Sequence, residues 1–171
     1  MYKTVTTYYL EMTDLSQLRS KVAPRPDVWV QEAKLPLGDL HRFFYLTVGA
    51  DYAWFDHASW SKEEWQAYAE RENVSLWIGY EKGTPFGYFE LIEENHEVEI
   101  MCFGLLPAFI GKGLGGYLLT ETIKAAWSKQ PKRVWLHSCS VDHPSALANY
   151  QARGFTLYKE TQTSKYFPDV E

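Results

Sequence analysis

A chain of 171 residues, 46% apolar and 16% aromatic, is long enough for one domain that buries roughly 70% of the surface its unfolded form exposes. Its 22 acidic and 17 basic side chains leave a formal charge of −5, which argues against a general nucleic-acid binder with a basic face. No apolar run approaches the roughly 18–20 residues that span a bilayer, so no membrane partner is expected. Cys102 and Cys139 sit in apolar runs without C-x-x-C spacing and read as reduced core thiols of a cytoplasmic protein.

In chain order, residues 2–12 alternate and are rich in Thr, Val and Tyr, which predicts an opening strand. A short helix over 14–22 and a turn at Pro24 and Pro26 follow, then a second strand over 28–33. Leu37, Leu40, Phe44 and Val48 recur at helical spacing, and Ser61 with Glu64 forms a capping-box pattern at the start of the next helix. Residues 74–80, 85–92 and 97–105, separated by a Lys82-Gly83 turn and a turn at Asn95, read as a meander of three antiparallel strands. A helix over 113–129 offers Leu114, Leu118, Ile123 and Trp127 to the sheet, and 133–139 returns as a strand. The last helix begins at Pro144, capped by Asp142 or His143, and ends at Gly154, after which 155–160 starts a final strand.

Between the third meander strand and the long helix lies a glycine-rich turn, Gly111, Gly113, Gly115 and Gly116. Backbone without Cβ atoms that opens a helix can approach an anion closely, and the unpaired first-turn N–H groups favour negative charge, so a phosphate or diphosphate ligand is expected. Gly111, Gly113 and Gly116 also satisfy G-x-G-x-x-G, but no Asp or Glu falls between Glu121 and Asp142 to hold a ribose, as a dinucleotide fold requires about 20 residues on. Lys112 is followed by Gly113 instead of Ser or Thr, which removes a Walker loop.

Two motifs here resemble those of the GNAT superfamily of acyl-CoA-dependent N-acetyltransferases. The family's V-x-P-x-x-[RQ]-G-x-G-x-[GA] reads here from Leu105 to Gly115 through Pro107, Ile110, Gly111 and Gly113. Its N-x-x-A-x-x-x-Y-x-x-x-G-F reads from His143 to Phe155 with Ala146, Tyr150 and Gly154 in place. Ile110 stands where Arg or Gln is usual, and His143 where Asn is usual. The resemblance implies one α/β (α+β) domain over 1–171, with a central mixed, mostly antiparallel splayed sheet flanked by helices. It further implies acetyl-CoA as cosubstrate without a metal, and transfer to a small-molecule or peptide amine by direct attack, in a monomer or homodimer. A non-catalytic acyl-CoA-binding or sensing domain is the alternative.

By the same resemblance, coenzyme A would lie on Phe103, Gly104, Leu105, Ile110, Gly111, Lys112, Gly113, Leu114, Gly115 and Gly116, with His143 and Asn149 on its pantetheine arm and Arg153 near its phosphate end. The Leu105 N–H would donate to the thioester carbonyl. Tyr150 would act as general acid toward the thiolate and Glu99 as general base, with Glu97 a competitor for the latter role. A period of two places Glu99 and Leu105 on one sheet face. The acceptor is expected near Trp54, His57 and His137, although a plain aromatic core accounts equally for the Trp residues, and a satisfied core histidine is the commoner reading of His137.

Overall fold

The computed structural model describes residues 1–168. Seven strands form one sheet: β1 (Tyr2–Met12), β2 (Val28–Glu32), β3 (Val74–Glu81), β4 (Thr84–Glu94), β5 (Glu97–Leu105), β6 (Arg133–Cys139) and β7 (Thr156–Tyr166). Their order is β2-β3-β4-β5-β6-β1-β7, with β5 and β6 parallel and every other pair antiparallel. The fold is therefore the mixed, mostly antiparallel α/β sheet that the sequence predicts. The β3–β4 and β4–β5 hairpins close through Lys82-Gly83 and Asn95-His96, all at positive φ, the handedness that suits the twist of the flanking strands.

Helices cover both faces. On one, α3 (Gly115–Ser128) and α4 (Ala146–Ala152) bury Leu118, Leu119, Ile123 and Tyr150 against Leu10, Phe89, Val98, Ile100, Val134 and Leu136. Burying each such large apolar side chain contributes roughly 1.5–3 kcal/mol. On the other, α1 (Gly38–Gly49) and α2 (Lys62–Ala69) bury Phe44, Val48, Trp65 and Tyr68 against Leu76, Ile78, Tyr88 and Cys102. Ser61 and Glu64 form the predicted capping box of α2. Beneath these helices Glu90, 1% exposed, pairs with His41 Nδ1 (2.7 Å) and accepts from the Tyr68 hydroxyl (2.8 Å).

Several expected boundaries move, each for a local reason. The helix predicted over 14–22 shrinks to a single 3₁₀ turn at Leu15–Gln17, because the backbone beyond it bonds elsewhere: Arg19 N–H to the Arg153 carbonyl (2.9 Å) and Lys21 N–H to Thr120 Oγ1 (2.9 Å). Neither Asp142 nor His143 is the N-cap of α4. That place falls to Ser145, whose N–H donates to His143 Nδ1 (3.0 Å), while Asp142 accepts from the His143 N–H (2.8 Å). β7 runs on to Tyr166 because β1 offers a partner along its whole length.

The most consequential change is a bulge at Met101, where Glu90 faces Cys102 but Leu91 faces Ile100. One extra residue inverts the side-chain alternation. Val98 and Ile100 point to the α3 face before the bulge, and Phe103 and Leu105 do so after it, so Glu99 and Leu105 lie on opposite faces instead of sharing one. Farther along, Gly154 (φ +113°) turns α4 into β7 so closely under the Leu15–Gln17 turn that a Cβ there would run into the Gln17 carbonyl oxygen. Gly154→Ala should therefore lower the free energy of unfolding by about 2 kcal/mol or more in urea titrations.

Candidate active site

β5 and β6 pair only at Glu97↔Arg133, Val98↔Val134 and Glu99↔Trp135, after which the ladder stops. The rest of β5 keeps its other neighbour: the Leu106 N–H donates to the Phe86 carbonyl (2.8 Å), and Gly104, Phe103 and Cys102 stay in register with β4. In an antiparallel ladder successive residues turn their backbone groups alternately toward and away from the partner. With Leu106 turned toward β4, the N–H and C=O of Leu105 and Phe103 face the gap left by β6.

The glycine turn closes one end of that gap. Gly111 and Gly113 both adopt φ +80°, and the first intrahelical bond of α3 is Leu118 N–H to the Leu114 carbonyl (2.9 Å). The N–H groups of Gly115, Gly116 and Tyr117 thus have no partner within the helix. A cavity of about 600 Å³ runs from this turn to the splayed strands. Of the residues expected at the site, Phe103, Gly104, Leu105, Ile110, Gly111, Gly113, Leu114, Gly115, Gly116, His143, Asn149, Tyr150 and Trp54 line it. The Asn149 amide nitrogen donates to the Gly115 carbonyl (3.3 Å), tying α4 to the start of α3.

Lys112, Glu99, His57 and His137 lie outside the cavity. The ammonium of Lys112 sits 5.4 Å over the Phe109 ring, and its carbonyl accepts from Arg25 Nη1 (2.8 Å). His57 stacks on Trp60 (3.9 Å between centroids) and against Tyr45, inside an aromatic cluster with Trp65 and Tyr68, and burial draws its imidazole below the usual value. His57 and Trp60 are thus half-buried in that cluster while Phe55 is exposed, and Trp54 is the member of the 54–60 region that lines the cavity. Lys21, Val48 and Tyr52 also line the cavity and carried no signal in the sequence. Val48 belongs to a helical apolar stripe that reads as core, and Lys21 and Tyr52 arrive from segments with no motif.

Tyr150 stands on α4 with its ring 6.0 Å from Phe103. Burial raises its phenol far above 10, so the hydroxyl keeps its proton at neutral pH. Glu99, on the opposite sheet face, is pushed up to about 7, chiefly by burial and secondarily by the charge of Glu94. Its Oε1 lies 3.7 Å from His137 Nε2, beyond hydrogen-bond range. Glu97 differs: Arg133 Nη2 donates to it at 2.9 Å. Burial also raises the Cys102 thiol well above 9, leaving it inert. Among the described residues no group of three or more His, Cys, Asp or Glu side chains could hold a metal ion, and no helix is long and apolar enough to cross a membrane.

A sequence profile of the acetyltransferase (GNAT) family matches residues 37–155, from the N-cap of α1 to the threshold of β7. No curated protein matches the chain in sequence. Solved structures do match in fold. A GCN5-related N-acetyltransferase from Sphaerobacter thermophilus superposes with a TM-score of 0.67 at 17% identity, over 93% of this chain and 50% of that one. An aminoglycoside acetyltransferase from an uncultured soil metagenomic sample gives 0.60 at 17%, over 85% and 97%. The ribosomal-protein-S18-alanine N-acetyltransferase of Escherichia coli gives 0.57 at 19%, over 75% and 77%. The chain spans about half to three-fifths of the length of several of the structures it matches.

The raised Glu99 value fixes the sign of a stability effect. Between 4.5 and about 7 the folded state holds a proton that the unfolded chain releases, so Glu99 weakens folding as pH rises through that window. Wild-type stability in urea should fall from about pH 5 to pH 8 more steeply than that of Glu99→Gln. Parallel curves would return the carboxyl to an ordinary value.

Proposed function

Because the chain belongs to the GNAT acetyltransferase family, we propose that it transfers the acetyl group of acetyl-CoA to a primary amine by direct attack, with both substrates bound together. The observation that carries this reading is the single cavity joining the glycine turn to the freed edge of β5, with the Tyr150 ring in its wall. The site fits coenzyme A in chemistry as well as shape. One end offers unpaired N–H groups and backbone bare of Cβ atoms, and the middle offers strand groups able to pair with amides. Residues 1–171 are read as one such domain, in the cytoplasm.

When bound, acetyl-CoA supplies an acyl group activated as a thioester. The N–H groups around Gly111–Gly116 hold the diphosphate, as helix N-termini hold phosphates generally. Phe103 and Leu105 pair with the pantetheine arm, flanked by His143 and Asn149, and the Leu105 N–H donates to the thioester carbonyl. Tyr150, neutral at working pH, gives its proton to the departing thiolate. Glu99, poised near 7 and free of any short ion pair, is a better base than Glu97, which Arg133 occupies. It takes the ammonium proton through water, since the bulge sets it across the sheet from Leu105. The buried Cys102 thiol is no nucleophile, which favours attack by the amine itself.

The acceptor approaches from the face of α1 and α2, past Trp54 and toward Glu99 and His137. A small-molecule or peptide amine suits this open face, and the aminoglycoside and protein-alanine enzymes with the same fold take one of each kind.

Thiol release from acetyl-CoA across a panel of amines, with calorimetric binding of coenzyme A, tests the proposal. Tight binding without amine-dependent release would make the chain a sensor. Tyr150→Phe should lower turnover about 100-fold while leaving coenzyme A affinity near the wild-type value; undiminished turnover would remove Tyr150 from the chemistry.

A further inference from the structure

Ile110 leaves the glycine turn without a cationic side chain of its own, and Lys112 points away from the cavity. Two other cations converge on the turn from distant parts of the chain. A Cβ built on Gly116 would lie 2.6 Å from Lys21 Cδ and 2.7 Å from Arg153 Nη1, so both side chains cross the first turn of α3 at close range. Both line the cavity. Arg153 Nε and Nη1 are shut off from solvent and have no hydrogen-bond partner among the described residues. The guanidinium therefore keeps donor capacity that no described protein group takes up, at the wall of a cavity able to receive an anion.

Lys21 is placed as firmly as its counterpart. Its N–H donates to Thr120 Oγ1 (2.9 Å), which donates in turn to the Gly116 carbonyl (2.8 Å). The neighbouring Arg19 N–H is bonded to the carbonyl of Arg153 itself (2.9 Å). Downstream, Pro24 lies beside Gly113, and Arg25 is held by Glu81 (2.6 Å) and by the Lys112 carbonyl (2.8 Å). The segment between β1 and β2 is therefore strapped along the outside of the glycine turn, tethered at both ends, with Lys21 directed at its helical side.

We propose that Lys21 and Arg153 form a cationic clamp on the diphosphate of coenzyme A, supplying from outside the turn the side-chain charge that Ile110 withholds. This inference rests on the coenzyme A reading above. The diphosphate is favoured over the 3′-phosphate because both cations meet at Gly116, where the free N–H groups of α3 already concentrate positive potential. Each cation adds a charge-assisted contact to an oxygen the backbone also binds.

Calorimetry on Lys21→Met and Arg153→Met with coenzyme A, dephospho-coenzyme A and pantetheine tests it, with Lys21→Arg as the conservative variant and thermal unfolding of each ligand-free protein as the check on folding. Each Met variant should lose about tenfold or more in affinity for coenzyme A and equally for dephospho-coenzyme A. Neither should lose affinity for pantetheine, and Lys21→Arg should stay near wild type. Three results overturn the clamp: unchanged coenzyme A affinity, a loss confined to coenzyme A, which moves the cations to the 3′-phosphate, or an equal loss with pantetheine, which makes them structural. A wild-type protein that binds no coenzyme A would instead fell the functional proposal, and the clamp with it.

Discussion

The parallel ladder between β5 and β6 is three residue pairs long, and the site exists because it stops there. Backbone N–H and C=O groups inside a protein need partners, so strands that part company must hand their groups to something else. On β5 the antiparallel pairing with β4 continues past the break, through the bulge at Met101, while only its other edge is released. The result is a rigid row of donors and acceptors facing a cavity instead of a neighbouring strand. The glycine turn, the start of α3 and the flank of α4 are arranged around that row.

The bulge at Met101 redistributes the side chains of β5 between the two faces. Without it, Glu99 would share a face with Phe103 and Leu105, under α3 and α4, where a carboxylate would be sealed in apolar packing. With it, Glu99 emerges on the side of α1 and α2 near His137, partly desolvated yet within reach of water, while Phe103 meets Tyr150 on the other side. A carboxyl and a phenol thus stand on opposite faces of the sheet. Their environments push both acids upward, by different amounts: one to near neutrality, the other far beyond it.

The parts of this architecture written in local sequence were legible. Lys82-Gly83 and Asn95 announced the meander, Ser61 and Glu64 the start of α2, and the clustered glycines the turn that closes one end of the cavity, because turn and cap chemistry depend on residues a few positions apart. The bulge was not legible, since an unbroken run of alternating residues carries no mark of where the partner strand skips one. Nor were Lys21 and Tyr52, whose places are set by bonds to Thr120 and by edge-on contact with His143. The Trp-rich 54–60 segment misled in the opposite direction: rings at a loop read equally as pocket or core, and stacking between Tyr45 and Trp60 holds His57 in the α1–α2 cluster, away from the cavity that Trp54 lines.

The second helical layer also needs a directional anchor. Apolar contact holds α1 and α2 against the sheet but leaves their rotation weakly specified, because the hydrophobic effect scales with area and not with orientation. The buried carboxylate of Glu90 supplies orientation, taking His41 of α1 on one oxygen and Tyr68 of α2 on the other. A polar group so buried is tolerable only when both contacts are made, so the pair of helices has one satisfactory setting. That setting brings Val48, nearly two turns after His41 along α1, onto Gly104 so closely that a Cβ on the strand would collide with it. The side wall of the cavity at the splayed strands is thus fixed by a polar network on the neighbouring strand, out of contact with any ligand the cavity takes.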